Sequence, residues 1–355
     1  RKYRSREIAS LISLTFMVTN NMSAVNTRQS LALFISAAAA LFSLFAALSF
    51  GAAETSLQDV LNSFLLSNDA SFNTRIIFEL RMPRTLLAFL AGSGLAIAGL
   101  ILQTVTRNPL ADPYLFGISS GASFGVVLLM ALAGISAGFM LSAAALLGSL
   151  LAMSLLILIA GRQQSAQVES MLLAGVALSF LFSAFTSLLL YWSDPQAVAA
   201  ILFWTLGSFS RAQWATLWLP LLVITLCTFV MLSFRRQLNA MLLGDESAIT
   251  LGVRVQRFRI LMLVLSSLIT AVLVAMCGGI GFVGLMVPHI VRFFISQGTI
   301  AGLLVTSLVG GTFMVWVDVL SRSLLKNQEL PVGVITAAIG SVFFLSLLFF
   351  RKRRV

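Results

Sequence analysis

The sequence predicts an all-α, polytopic membrane protein with about ten transmembrane helices. Hydrophobic residues make up 59% of the 355 positions and charged residues only 10%. A soluble domain of this size cannot hide so much apolar surface from water. The apolar residues also fall into ten separate runs, most of them long enough to cross a bilayer as a helix. Ten spans place both termini on the same side of the membrane.

The predicted spans form one transmembrane domain, residues 31–350. A polar excursion at 51–80, an amphiphilic segment at 192–213 and a polar segment at 233–259 are the longest connections between them. The predicted spans are Leu31–Phe50, Thr85–Val105, Tyr114–Ala133, Met140–Ala160, Met171–Tyr191, Trp214–Leu232, Ile260–Met276, the short Phe282–Phe294, Ile300–Val319 and Pro331–Phe350.

Basic tails flank this domain at residues 1–30 and 351–355. The first tail starts without methionine and is only moderately apolar between residues 8 and 18. It is consistent with a tag or upstream remnant, an interfacial helix or a signal-like segment. Met22 is a plausible natural start, so residues 1–21 are not necessarily native.

The second span is rich in small residues. Gly92, Gly94 and Gly99 lie among alanines, so one flank of the helix is nearly bare of side chains. In lipid such a face lets another helix approach closely. Two interpretations are open: an ordinary packed span, or a span that lines a pathway, with arginines at one mouth and a proline-rich turn at the other.

The distribution of basic residues predicts the orientation. With both termini in the cytoplasm, 17 of the 23 lysines and arginines lie inside, as the positive-inside rule requires. Arg81, Arg84 and Arg322 are exceptions that lie outside, at the ends of spans. Either they meet an acidic partner there, or they reach towards anionic lipid headgroups.

A short helix is predicted inside the cytoplasmic segment 240–254. Asp245 follows Gly244 and can cap a helix, and Gly252 can end it in a left-handed conformation. Such a helix is either a rigid docking element that another protein binds or a solvated connecting turn.

The chain shows no catalytic or metal-binding motif. His289 has no cysteine or carboxylate at ligand spacing, and Cys227 and Cys277 lie in apolar runs, as core residues do. No phosphate-binding loop or hydrolase motif is present. The basic residues occupy short segments between apolar runs, which argues against binding to nucleic acid.

Transport powered by a separate motor subunit therefore fits the sequence best. No acidic residue lies in the middle of a predicted span, which argues against an ion-coupled carrier. A secondary carrier stays the alternative from another class. An intramembrane enzyme would need a base beside the abundant serines and threonines, and the sequence offers none.

An ordered set of motifs resembles the FecCD-type permeases. These are the membrane subunits of binding-protein-dependent ABC importers for iron-siderophores, haem and vitamin B12. The resemblance covers about residues 75–350, and the matching segments are Arg81–Arg84, Gln103–Pro113, Gly117–Ala122, Leu172–Leu178, Phe203–Ser208, Leu243–Ala248 with Leu251 and Gly252, Gly279–Gly284 with Pro288 and His289, and Glu329–Gly333.

The resemblance implies a type II ABC importer permease in the bacterial inner membrane, with both termini cytoplasmic. It implies a homodimer or pseudo-dimer, a cytoplasmic ATPase dimer that binds ATP and Mg²⁺, and a periplasmic substrate-binding protein. No cofactor is expected in this chain. The implied cargo is an iron chelate, either a siderophore or haem, with a cobamide as the alternative.

The resemblance also implies roles for particular residues. Arg81, Arg84 and Arg322 would meet acidic residues on the binding protein, and Asn108 and Leu110 would help to form the cytoplasmic gate. The helix that couples the permease to the ATPase would comprise Gly244, Asp245, Glu246, Ser247, Ala248, Leu251 and Gly252.

Overall fold

The computed structural model describes residues 27–51, 56–65, 72–134, 138–162, 168–295, 299–325 and 328–351. Most of the first tail, nearly all of the second tail and Lys326 lie outside these ranges. Apart from one isolated β-bridge, all regular secondary structure within them is helical. Helix α1 begins at Thr27, inside the segment assigned to the N-terminal tail.

Fourteen α-helices and one short 3-10 helix, Pro113–Phe116, are described. The first seven are α1 (Thr27–Ala47), α2 (Leu57–Leu65), α3 (Phe72–Thr106), α4 (Ile118–Ala133), α5 (Phe139–Arg162), α6 (Val168–Tyr191) and α7 (Pro195–Thr205). The others are α8 (Trp214–Ser233), α9 (Arg235–Leu242), α10 (Asp245–Thr250), α11 (Val255–Cys277), α12 (Val283–Arg292), α13 (Ile300–Ser323) and α14 (Val332–Arg351).

The ten predicted spans each coincide with a helix, which confirms the predicted fold class. Eight helices are long and apolar enough to cross a membrane, namely α1, α3, α5, α6, α8, α11, α13 and α14. The other two predicted spans correspond to the shorter apolar helices α4 and α12. A third short apolar helix, α7, lies in the segment predicted to be amphiphilic.

The polar excursion at 51–80 is more helical than the sequence suggested. It contains α2 and the start of α3, which begins at Phe72 and not near Thr85. A π-helical turn at Ile76–Arg81 comes just before Pro83. Proline cannot donate the usual helical hydrogen bond, and the wider turn already interrupts that ladder. The helix can therefore run through the proline.

Helix α3 is the buried centre of the chain and packs most extensively against α13. A Cβ atom on Gly92 would lie 2.0 Å from the carbonyl oxygen of Gly310, and one on Gly99 would lie 2.0 Å from that of Gly284. Only glycine allows backbones to approach so closely. The small residues of α3 thus serve helix packing, as the first of the two interpretations expected.

Several helix ends meet at a glycine-rich junction beside α7. The backbone N–H of Ser208 donates to the carbonyl of Cys277 at 2.8 Å, and that of Gly333 donates to the carbonyl of Leu206 at 2.9 Å. Gly278 has φ +75°, which suits glycine. The ends of α7 and α11 and the start of α14 are thereby joined through backbone groups.

Candidate functional site

A cleft lined by hydroxyl groups lies between α4, α6 and α7. Its volume is about 450 Å³, and each of its lining residues carries a hydroxyl group. The lining residues are Tyr114, Ser119, Ser120, Ser123, Ser179, Ser183, Thr186, Ser187 and Thr205. None of these side chains is charged at neutral pH, so the cleft offers hydrogen bonds without a net charge.

The sequence of α6 produces one wall of this cleft. Ser179, Ser183, Thr186 and Ser187 are separated by four, three and one residues, and this spacing places them on one face of a helix. Ser183 and Ser187 are exposed. Over eight residues the helix rises about 12 Å, so the hydroxyl stripe covers a substantial part of the membrane thickness.

The hydroxyl groups of the cleft differ in their hydrogen-bond partners. Ser179 and Thr186 donate to backbone carbonyls of α6 at 2.9 and 2.7 Å, which leaves their oxygens free to accept. The phenol oxygen of Tyr114 accepts from the backbone N–H of Ile280 at 2.8 Å. The cleft therefore presents an array of hydrogen-bond acceptors, and the hydroxyls of the exposed serines can add donors.

Such a cleft cannot face lipid hydrocarbon without cost. A hydroxyl group without a hydrogen-bond partner is unfavourable in an apolar medium, and α6 is only 17% buried over its most apolar window. Water or another polar surface would therefore suit the exposed Ser183 and Ser187 better than lipid does. These cleft residues were not among the site residues predicted from the sequence.

An ion-pair network joins α3 to α13. It lies around Arg84, far from the C-terminal end of α3. Arg84 Nε contacts Asp318 Oδ1 at 2.8 Å, and its Nη1 contacts Glu329 Oε1 at 2.6 Å. Arg322 Nε lies 3.3 Å from Asp318 Oδ2. Asp318 is fully buried, whereas the Glu329 side chain is 46% exposed.

The same arginines hold the end of α1. Arg81 Nη1 donates to the carbonyl of Leu48 at 2.7 Å, and Arg322 Nη2 donates to that of Ala47 at 3.0 Å. The last carbonyls of a helix have no partner within the helix and carry partial negative charge. These arginines therefore satisfy and stabilise the end of α1.

The structure thus brings Arg81, Arg84 and Arg322 together, as the docking interpretation requires, but it pairs them within the chain. Asp318 and Glu329 were not among the predicted site residues. One signal could have identified Asp318: it lies in an apolar helix, four residues before an arginine, and charges at membrane depth are usually paired. Only Glu329 turns a large part of its side chain outward.

Helix α10 is bounded by glycines, as predicted. Gly244 has φ +109° and Gly252 has φ +82°. Asp245 makes no capping hydrogen bond, which corrects the expectation that it caps the helix. Its carboxylate instead accepts from Arg259 Nη2 at 2.9 and 3.0 Å and lies 3.6 Å from Arg107 Nη2. Two arginines attract the carboxylate more strongly than a neutral N–H can.

The residues of the predicted coupling segment divide into an inner and an outer set. Ala248 is fully buried in the main core and supports the helix from inside. Glu246 and Gly252 are exposed, and Leu243, Ile249 and Leu251 are 69%, 61% and 63% exposed. An outward apolar surface of this kind is typical of protein interfaces.

The predicted gate residues lie in the turn that follows α3. Asn108 accepts from the backbone N–H of Leu110 at 2.9 Å through its side-chain oxygen, and Leu110 is 57% exposed. The turn begins at Arg107, whose φ of 50° lies in the left-handed region. Arg107 also contacts Asp245, so this turn touches the start of α10.

The eight helices of spanning length are the mark of a multi-pass membrane protein, and they carry the hydroxyl-lined cleft and, at one end, the paired charges. The chain belongs to the FecCD transport family, which matches residues 39–350. It is accordingly the permease subunit of an ABC importer and not its ATPase. A permease of this kind works with an ATPase and a binding protein.

Relatives with several different names resemble the chain. The hemin transport system permease protein HmuU of Yersinia pestis is 38% identical over 287 residues, which are 79% of this chain and 85% of the relative. The cobalamin import system permease protein BtuC of Halobacterium salinarum is 38% identical over 280 residues, covering 79% and 74%. The molybdate import system permease protein MolB of Haemophilus influenzae is 36% identical, covering 79% and 82%.

A solved structure shares the fold. The inward-facing conformation of a metal-chelate type ABC transporter matches with a TM-score of 0.78 and 33% identity. The match covers 90% of this chain and 99% of the solved chain.

Proposed function

We propose that this permease imports an iron chelate, a siderophore or haem, by alternating access driven by a partner ATPase. The observation that carries this proposal is the hydroxyl-lined cleft along α4, α6 and α7. A row of neutral hydroxyls lets a hydrated polar cargo exchange hydrogen bonds as it moves. Weak, repeated contacts of this kind favour passage, whereas strong binding would hold the cargo in place.

A second copy of the chain would close the pathway. The cleft opens at the surface of one chain, and α6 beside it is mostly unburied. Lipid cannot cover the hydroxyl stripe favourably, but a symmetric partner that presents the same stripe can enclose water and cargo. We therefore propose a homodimer with the two clefts facing a common pathway.

The chemistry of the cleft favours some cargoes over others. Siderophore chelates and cobamides carry many amide or hydroxyl groups, which match a neutral hydroxyl lining. A porphyrin offers fewer such groups, and molybdate is an anion that would call for cations. The siderophore thus fits best, and a cobamide is the alternative. Membership of an ABC importer family argues against a secondary carrier.

The distribution of basic residues supports the orientation with both termini in the cytoplasm of a bacterial inner membrane. Arg235, Arg236, Arg254 and Arg257 lie on the side of α9 and α10 and are exposed there. This side faces the cytoplasm under the positive-inside rule. Helix α10 would then point towards the ATPase, which binds ATP and Mg²⁺.

Coupling would proceed through α10 to the gate. The exposed Leu243, Ile249 and Leu251 would dock in the ATPase, and Ala248 would support them from the core. Asp245 would transmit the movement of the ATPase to the gate turn, because it contacts both Arg107 in that turn and Arg259 on α11. Asn108 and Leu110 would then form the cytoplasmic gate.

Docking of the binding protein would take place at the opposite face. In this proposal a carboxylate of the binding protein replaces Glu329 beside Arg84. The exposure of Glu329 supports such an exchange, because an exposed ion pair contributes only about 0–1 kcal/mol and is readily broken. Arg81 and Arg322 would hold the end of α1 in place around this docking point.

Uptake in proteoliposomes tests the proposed function. Reconstituted with its ATPase and binding protein, the wild-type permease is expected to accumulate ferric siderophore when ATP is present, in preference to haem, cobalamin and molybdate. Ile249→Asp should reduce uptake roughly tenfold or more, since a central apolar contact commonly contributes over 1.4 kcal/mol. Basal ATP hydrolysis should continue. Ile249→Met keeps the apolar surface and serves as the control.

Three results would count against this proposal. Preferential uptake of cobalamin would support the alternative cargo, and equal uptake by Ile249→Asp and wild type would remove α10 from the docking surface. Uptake that continues without ATP but follows an ion gradient would favour a secondary carrier.

A further inference from the structure

We propose that a pocket between α1, α9 and α13 binds the headgroup of an anionic phospholipid. The pocket has a volume of about 570 Å³. Its lining combines two arginines, three uncharged polar residues and several aliphatic residues. The lining residues are Gln29, Leu33, Arg235, Arg236, Asn239, Thr299, Ile300, Ala301 and Leu304.

The two arginines give the pocket its preference for anions. Arg235 and Arg236 are both exposed, and neither makes an ion pair with a carboxylate in the part of the chain that the structure describes. Guanidinium groups match phosphate oxygens well because they can donate two parallel hydrogen bonds. The amides of Gln29 and Asn239 can contribute further hydrogen bonds to a headgroup.

An apolar crevice continues from the pocket towards the core. It shares Arg235, Thr299 and Ile300 with the pocket, and its other lining residues are mainly aliphatic. They are Leu100, Ile101, Thr104, Met231, Leu232, Leu238 and Leu303. This crevice holds only about 30 Å³, which is too little for an acyl chain. A bound lipid would therefore place its phosphate beside the arginines and its acyl chains along the exposed apolar face of α1.

The position of the pocket also suits a lipid. It lies where α1 and α13 begin and where α8 gives way to α9, on the side that the proposed orientation places at the cytoplasmic leaflet. Beside it, α1 is only 28% buried over its most apolar window, with Phe34 73% exposed. Basic pockets between helices at this leaflet bind anionic headgroups.

A bound lipid would contact three helices, α1, α9 and α13, that have different neighbours in the fold. Helix α9 leads directly into α10, α13 packs on the central helix α3, and α1 lies at the periphery. A headgroup held by Arg235 and Arg236 would therefore anchor the start of the cytoplasmic loop to the transmembrane body.

Lipid binding by the full-length permease tests this site. In detergent, native mass spectrometry can compare phosphatidylglycerol with phosphatidylcholine of identical acyl chains. We expect the wild type to prefer phosphatidylglycerol and Arg235→Gln with Arg236→Gln to weaken that binding roughly 5-fold per arginine removed. The matched control is Arg254→Gln with Arg257→Gln, which removes the same charge from exposed positions on the same side, outside the pocket.

Four outcomes would overturn the site. Unchanged phosphatidylglycerol binding in the Arg235 and Arg236 variant would exclude the pocket, and an equal loss in the control variant would indicate a general surface charge. Competition by inorganic phosphate at equal concentration would indicate an anion site without lipid. Loss of ATPase association with lipid binding intact would assign the arginines to the partner subunit.

Discussion

Asp318→Ala is expected to destabilise the permease more than any other single charge removal in the described chain. Asp318 is fully buried and lies between Arg84 and Arg322, at 2.8 and 3.3 Å. Removing it would leave the largely buried guanidinium of Arg322 without a carboxylate and that of Arg84 with only the half-exposed Glu329. Breaking a buried ion pair by removing one partner costs about 3–5 kcal/mol. The measurement is the free energy of unfolding in mixed detergent, followed with the yield of folded protein.

Glu329→Ala is the matched control for that experiment. Glu329 contacts the same arginine at 2.6 Å, but its side chain is 46% exposed. An exposed pair contributes only about 0–1 kcal/mol, so this variant should stay close to wild type. If both variants unfolded equally easily, the buried network would not be the element that holds α3 to α13.

Gly99→Leu is expected to separate α3 from α12. Even a Cβ atom at this position would lie 2.0 Å from the carbonyl oxygen of Gly284, which is a backbone atom that cannot move aside alone. Overpacking in a close-packed interior costs about 1–3 kcal/mol and occasionally more, and this contact belongs at the upper end. Loss of folded protein and of the native unfolding transition would show the effect.

Gly281→Ala serves as the control for this packing prediction. No heavy atom lies within 4 Å of a Cβ atom at Gly281, so the added methyl group has space. We expect this variant to unfold like the wild type. A Gly99→Leu protein as stable as Gly281→Ala would mean that α3 and α12 can move apart freely.

Local features of the sequence predicted much of the fold. Long uncharged runs mark the spans because a helix in lipid must be apolar along its length. Gly244 and Gly252 marked the ends of α10 because positive φ angles favour glycine there. Gly92 and Gly99 predicted a close helix contact, although not which helices would supply it.

The features that depend on which helices are neighbours could not be predicted in the same way. Glu329 lies 245 residues from Arg84 along the chain, and nothing local links the two. The cleft needs serines from α4 and α6 to face each other, and a hydrophobic pattern shows only that each helix is apolar. Asp245 could cap a helix in principle, but only the fold brings Arg259 close enough to compete.

The accessibility of Ser183 to water shows whether the hydroxyl-lined cleft borders the transport pathway. Ser183→Cys would be labelled with a membrane-impermeant thiol reagent in a variant whose buried cysteines, Cys227 and Cys277, are replaced by alanine. The control is Leu222→Cys on α8, which is 56% exposed in the chain and lies at a matching distance from its helix end.

A thiol reacts as its thiolate, which needs water. We therefore predict that Ser183→Cys is labelled at least roughly tenfold faster than Leu222→Cys. This ratio corresponds to a difference of about 1.4 kcal/mol in the free-energy barrier to labelling. Labelling should also slow when cargo and binding protein are present. Equal and negligible labelling at both positions, in every nucleotide state, would place the stripe against lipid or protein and contradict the account.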